Sequence, residues 1–143
     1  MILNLRAATL AGALAAAGFA LTATAAPNVR PGLWEATVKT QVPGMPMAMP
    51  SITHRYCLQK KDLVPNTRQP DQHCKLLDHA ISGNTVSWRV QCRSQGMSST
   101  GEGRITYAGD TYHGRIVMDM QQGGGQPMKM IQTLQGHRVG ACK

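Results

Sequence analysis

Leu77-Asp78-His79-Ala80-Ile81-Ser82-Gly83-Asn84-Thr85-Val86-Ser87-Trp88-Arg89-Val90 reads as two alternating strands about a tight turn. Leu77, His79 and Ile81 take every second place before Ser82-Gly83-Asn84-Thr85, and Val86, Trp88 and Val90 do so after it. Successive side chains of a strand point to opposite faces, so each run has one apolar face and one polar face. Gly-Asn between two such runs is a two-residue hairpin signal, and glycine in first place suits a type II′ turn. Pairing about this turn sets Ile81 opposite Val86, His79 opposite Trp88 and Leu77 opposite Val90, with the apolar sets together. His79, among apolar neighbours, reads as a hydrogen-bonded structural histidine.

The same period continues on either side. Trp34, Ala36 and Val38 alternate with Glu35, Thr37 and Lys39, and Ile52 to Leu58 forms a second strand. Between them, residues 43–50 carry Pro43, Pro46 and Pro50, which remove donors and fix φ, so this stretch reads as a loop or a polyproline-like edge segment. Residues 59–73, with Pro65, Asn66, Pro70 and Asp71, read as a loop holding one helical turn. A second hairpin at Gly109-Asp110 places Tyr107 against Tyr112, Ile105 against Gly114 and Gly103 against Ile116. Glycines opposite large side chains mark close packing or a bend. A third, at Gly123-Gly124-Gly125, joins 115–121 to 126–134, and the tail from Gly136 continues that strand. About seven strands, mostly neighbours in sequence, define an all-β antiparallel meander, as a curved sheet or a small barrel-like sandwich.

Residues 1–25 carry the three zones of a secretory signal: Arg6 in a short leading region, an apolar run over 7–21, and Ala23 and Ala25 at small-x-small spacing. Cleavage after Ala25 leaves one domain over residues 26–143, with no stretch able to span a bilayer, in the periplasm. The whole chain has 15 Lys+Arg and 7 Asp+Glu, a net charge of +8. Export makes nucleic acid a poor partner for that charge. A scattered basic surface suits solubility, or attraction to anionic envelope material. Cys57, Cys74, Cys92 and Cys142 are an even set in an exported chain, which calls for two disulfides. Three connectivities are open; the preferred one is Cys74–Cys92 with Cys57–Cys142. Strict register about Gly83-Asn84 puts Lys75, not Cys74, opposite Cys92, so that bridge requires a bulge.

Methionine is the unusual residue. Met45, Met47 and Met49 recur every second position, as do Met118 and Met120, and Met128 and Met130. Centring the third hairpin on Gly124 sets Met118 opposite Met130 and Met120 opposite Met128, so these four share a face. Methionine fills irregular gaps and suits adaptable binding surfaces, whereas clustered thioethers select Cu(I). The first reading is expected: an apolar face of Met118, Met120, Met128 and Met130, covered by the loop of Met45, Met47 and Met49, binding a hydrophobic small molecule or an envelope protein with no cofactor. The alternatives are Cu(I) or Ag(I) held by the same sulfurs, and a structural envelope-interaction protein using its basic surface.

Catalysis is not expected. His54, His73, His79, His113 and His137 are dispersed, and Ser98, Ser99, His113 and Asp119 have no nucleophile elbow to orient them. Gly101 and Gly103 flank Glu102 within a strand and do not open a helix, so no phosphate loop is present.

Several stretches together resemble a known family: Pro31-Gly32-Leu33-Trp34-Glu35, Pro43-Gly44-Met45-Pro46-Met47, Cys57-Leu58, Cys74, Ser82 to Trp88, Cys92, Gly101-Glu102-Gly103 and Arg138-Val139-Gly140-Ala141-Cys142. The chain is similar to the family called domain of unknown function 3617, small exported proteins of Gram-negative bacteria. The resemblance implies a periplasmic setting and an all-β fold, and supplies no activity and no site residues. Terminal sequencing of protein recovered from the periplasm is expected to begin at Ala26; a chain retaining Met1 would contradict the signal reading.

Overall fold

A computed structural model describes residues 25–47, 49–64, 68–69 and 72–143. Residues 1–24 of the signal segment, Ala48, and Pro65, Asn66, Pro70 and Asp71 lie outside it. The strands are β1 (Gly32–Gln41), β2 (Ile52–Leu58), β3 (Arg68–Gln69), β4 (Gln72–Ser82), β5 (Thr85–Ser94), β6 (Met97–Ala108), β7 (Thr111–Gln122) and β8 (Met128–Gly140), with one 3-10 turn at Lys60–Asp62. They form a single antiparallel sheet in the order β2-β1-β8-β7-β6-β5-β4-β3. Seven strands are long and β3 has two residues. The sheet is open, with β2 and β3 as its edges, so the architecture is the sheet form of the all-β expectation and not a closed barrel or a two-sheet sandwich.

The three hairpins read from the sequence keep their register near the turns. Ile81 faces Val86 and His79 faces Trp88, Tyr107 faces Tyr112, and Met118 faces Met130. Beyond His79 the register of β4 shifts between Leu76 and Asp78, so Leu77 is the extra residue of a β-bulge. Leu76 therefore faces Val90, where Leu77 was expected, and Leu77 is left partly exposed. The same shift brings Cys74 opposite Cys92, and the two are bridged. Cys57 joins Cys142, tying edge strand β2 to the chain that follows β8. Sequence separations of 18 and 85 residues correspond to roughly 3 and 4.5 kcal/mol of chain-entropy stabilisation. His79 is exposed, and no hydrogen bond to its ring occurs among the described residues, which corrects the structural role read for it. Its partner Trp88 is buried and leans the other way, over Gly103 on β6.

The core lies on one face. Trp34, Ala36, Val86, Trp88, Tyr107 and Tyr112 are buried there, with Leu58 and Leu63. Tyr56 and Tyr112 stand three strands apart, about 14 Å in a flat sheet, yet their hydroxyls meet at 3.1 Å with Tyr56 donating. The sheet curls around this face and the rings lean inward across the intervening strands. Trp34 sits 5.5 Å from Tyr112, ring centre to ring centre, and its Nε1 donates to the Arg30 carbonyl. That satisfies the polar atom of a fully buried indole. Two segments close this end of the sheet. Residues 27–30 run along the turn tips, where Val29 bridges Gly109 and Arg30 pairs with Asp110 at 2.6 Å. The chain leaving β2 for the opposite edge packs Leu63 and Val64 onto the cluster.

Glycine makes room for these rings. A β-carbon at Gly136 would overlap the Tyr112 ring, and one at Gly103 would overlap the Trp88 indole. Gly136→Ala is expected to cost about 2 kcal/mol or more in urea unfolding; wild-type stability in that variant would contradict the packing. Burial, with the Tyr112 phenol beside it, pushes the Tyr107 phenol up to about 12. Burial likewise raises Tyr56 and Tyr112. The folded state thus keeps protons that the unfolded chain releases near pH 10, so this stability is intact below about pH 10 and declines above it. Tyrosinate absorbance of these three is expected to rise together with unfolding on alkaline titration. Ionisation near pH 10 in protein that stays folded would contradict the assignment.

Candidate functional site

The curled face has two halves. One half carries the aromatic cluster and its coverings. The other begins at the row Leu76, Val90, Gly101, Met118, Met130, set by the pairing of β4 through β8. The next row is Cys74, Cys92, Ser99, Met120, Met128, and then come Ser94, Met97 and Gln122. These three rows hold five methionines and no formal charge. Among the described strand side chains, only Arg138 brings a formal charge to this face, at the aromatic end, where its Nε donates to the Pro31 carbonyl.

Register explains the grouping. Met118 and Met130 are directly opposed, as are Met120 and Met128, in the pairing the hairpin about Gly124 implies. Directly opposed side chains have β-carbons about 5 Å apart, so the four thioethers form a two-by-two patch. Met118 reaches over Gly101 beside Val90, because a β-carbon at Gly101 would lie 3.1 Å from Val90 and 3.8 Å from Met118. Met118, Met120 and Met130 are half-buried, while Met128 and Met97 remain 44% and 40% exposed. The patch is continuous with the core on one side and reaches solvent on the other.

Met97 is the member that the sequence reading passed over. It follows a turn at Gln95-Gly96 in which both residues have positive φ, 38° and 81°. Two positive φ values are what a type I′ hairpin requires, but Asn-Gly or Asp-Gly is its usual signature and glutamine rarely adopts that region. Met97 also lacks a second methionine two residues away. The turn, not the spacing, was the available signal.

The loop methionines are placed differently from expectation. A turn closed by Met45 N–H donating to the Val42 carbonyl redirects the chain just past β1. Met45 and Met47 line a cleft of about 350 Å³ with Thr40, Val42, Pro43 and Ile131. Ile131 lies on the face of β8 opposite to Met130, whereas Thr40 lies on the methionine face, so the cleft sits at the end of β1 and is lined by none of the strand methionines. Met45, Met47 and Met49 are 58%, 83% and 50% exposed. Three prolines deny the segment a ladder with which to fold back.

The imagined catalytic set does not assemble. Ser99 faces the methionine side, while His113 and Asp119 are on the other side and six residues apart on β7, roughly 20 Å. Asp119 pairs with Lys129. Among the described residues, no three His, Cys, Asp or Glu side chains converge to hold a metal, and no helix is long and apolar enough to cross a membrane.

Fold and face together define a small disulfide-bonded protein built on one open antiparallel sheet with a single apolar side. The family model described as protein of unknown function (DUF3617) matches residues 29–142, and the chain belongs to that family. No curated protein and no solved structure matches it.

Proposed function

We propose that this is a periplasmic binding protein, not an enzyme, that takes a hydrophobic small molecule on the methionine half of its curled face. The observation that carries this reading is the uncharged, partly exposed patch of Met97, Met118, Met120, Met128 and Met130, continuous with the core. Adaptable thioether side chains suit a ligand whose shape varies. An apolar area of this kind that reaches solvent at Met97 and Met128 is a common mark of a binding surface. The two disulfides are compatible with the oxidising compartment to which residues 1–25 would send the chain.

A second reading rests on the two-by-two arrangement of thioethers. Four sulfurs on opposed strands offer Cu(I) or Ag(I) the soft donors those ions prefer. Replacing Met118, Met120, Met128 and Met130 by leucine separates the two. Leucine keeps apolar volume and removes sulfur, so binding of the neutral dye Nile red is expected to persist. Binding of Cu(I), measured by competition with a chromogenic chelator, would be lost if the sulfurs were its ligands. Met118→Gln with Met130→Gln is expected to weaken dye binding at least tenfold. Dye binding that survives the glutamine pair would exclude the apolar-ligand reading.

A further inference from the structure

The other side of the sheet carries nearly all its charge, and part of that charge is matched across strands. Arg89 holds Asp78 at 2.6 Å, Arg55 holds Glu35 at 2.8 Å, and Lys129 approaches Asp119 at 3.6 Å. Among the charges left unmatched, one pair stands out. Arg104 on β6 and Arg115 on β7 are directly opposed, and like charges in that position are destabilising. Neither is in an ion pair among the described residues. Their row continues through Ser87 on one side and Thr133 and Lys39 on the other, giving three cations, two hydroxyls and no carboxylate.

Arg104 and Arg115 line a cleft of about 680 Å³ together with Ser87, Arg89, Asp78 and Glu102. Asp78 is held by Arg89. Glu102 stands opposite Arg89 in the register and is in no ion pair with it, with Arg104 or with Arg115 among the described residues, so one unmatched carboxylate borders the two guanidiniums. The two guanidiniums therefore keep their donors for something else.

We propose that Arg104 and Arg115 form a binding site for a phosphate group, with the Ser87 hydroxyl beside them. A carboxylate is fully engaged by one bidentate arginine, whereas a phosphate has enough oxygens and charge to engage two forks and a hydroxyl. Bound phosphate would also remove the repulsion that the empty pair carries. The site lies on the side of the sheet opposite to the methionine patch and stands independently of the apolar ligand.

The test is thermal unfolding of the full mature chain in low-salt buffer, with and without millimolar inorganic phosphate. Wild type, Arg104→Gln, Arg115→Gln and the charge-matched Lys60→Gln are compared. Phosphate is expected to raise the Tm of wild type and Lys60→Gln. Either arginine variant is expected to lose that rise, and to melt roughly 1–4 °C above wild type when phosphate is absent. Comparison across variants removes the general stabilising effect of phosphate as a solute. Sedimentation with phosphatidic acid vesicles then identifies the source. Arginine-dependent pelleting assigns a lipid headgroup, and its absence alongside an arginine-dependent Tm rise assigns a free phosphate. An equal phosphate response in all four proteins, or an equal loss in Lys60→Gln, would overturn the site.

Discussion

The ring of Tyr112 lies over Gly136 and the indole of Trp88 over Gly103, and the curl of the sheet depends on these contacts. A strand with a β-carbon at either place would hold the ring away from the backbone. The sheet would then flatten, and the two hydroxyls of Tyr56 and Tyr112 could not meet across the strands between them. Among the described residues no second layer covers the apolar side of the sheet, which curls around its own aromatic rings. The N-terminal segment and the chain leaving β2 complete the enclosure at the same end.

That solution is local, and the rest of the face follows from its limit. The aromatic residues lie toward the end where Val29, Leu58 and Leu63 close over them. The methionines lie toward the end where β7 turns into β8 and β5 into β6. Rigid rings with fixed partners suit a permanent core, whereas flexible thioethers suit a surface that must fit something else. The Cys74–Cys92 bridge joins β4 to β5 within the methionine half, where ring packing contributes least.

Much of this was legible in the residues. Period-two alternation fixed the strands, and the Gly-Asn, Gly-Asp and triple-glycine turns fixed three registers, including the opposed methionines. Four disagreements have physical causes. The bulge at Leu77 leaves no composition signal, because a bulge inserts an ordinary residue, although the mismatch of Cys74 with Cys92 pointed to it. The Gln95-Gly96 turn uses glutamine where asparagine is usual, which hid Met97. His79 faces Trp88 as expected but stays exposed, because pairing sets neighbours and not depth. The loop methionines alternate like a strand, yet their prolines and an early turn leave them exposed beside the end of β1. The arginine pair follows from the register about Gly109-Asp110, but which charges remain unmatched shows only in the structure.

The aromatic half of the curled face is a permanent core; the methionine half, on the function proposed above, is open to an apolar ligand. Methyl-labelled methionine NMR with a soluble paramagnetic probe tests it directly. The methyl groups of Met97 and Met128 should broaden first in ligand-free protein, those of Met118, Met120 and Met130 less, and all five should shift together and become protected when an apolar ligand is added. Sharp, protected methyl signals for Met118, Met120, Met128 and Met130 that ignore every apolar ligand would mean that the methionine half is simply more core.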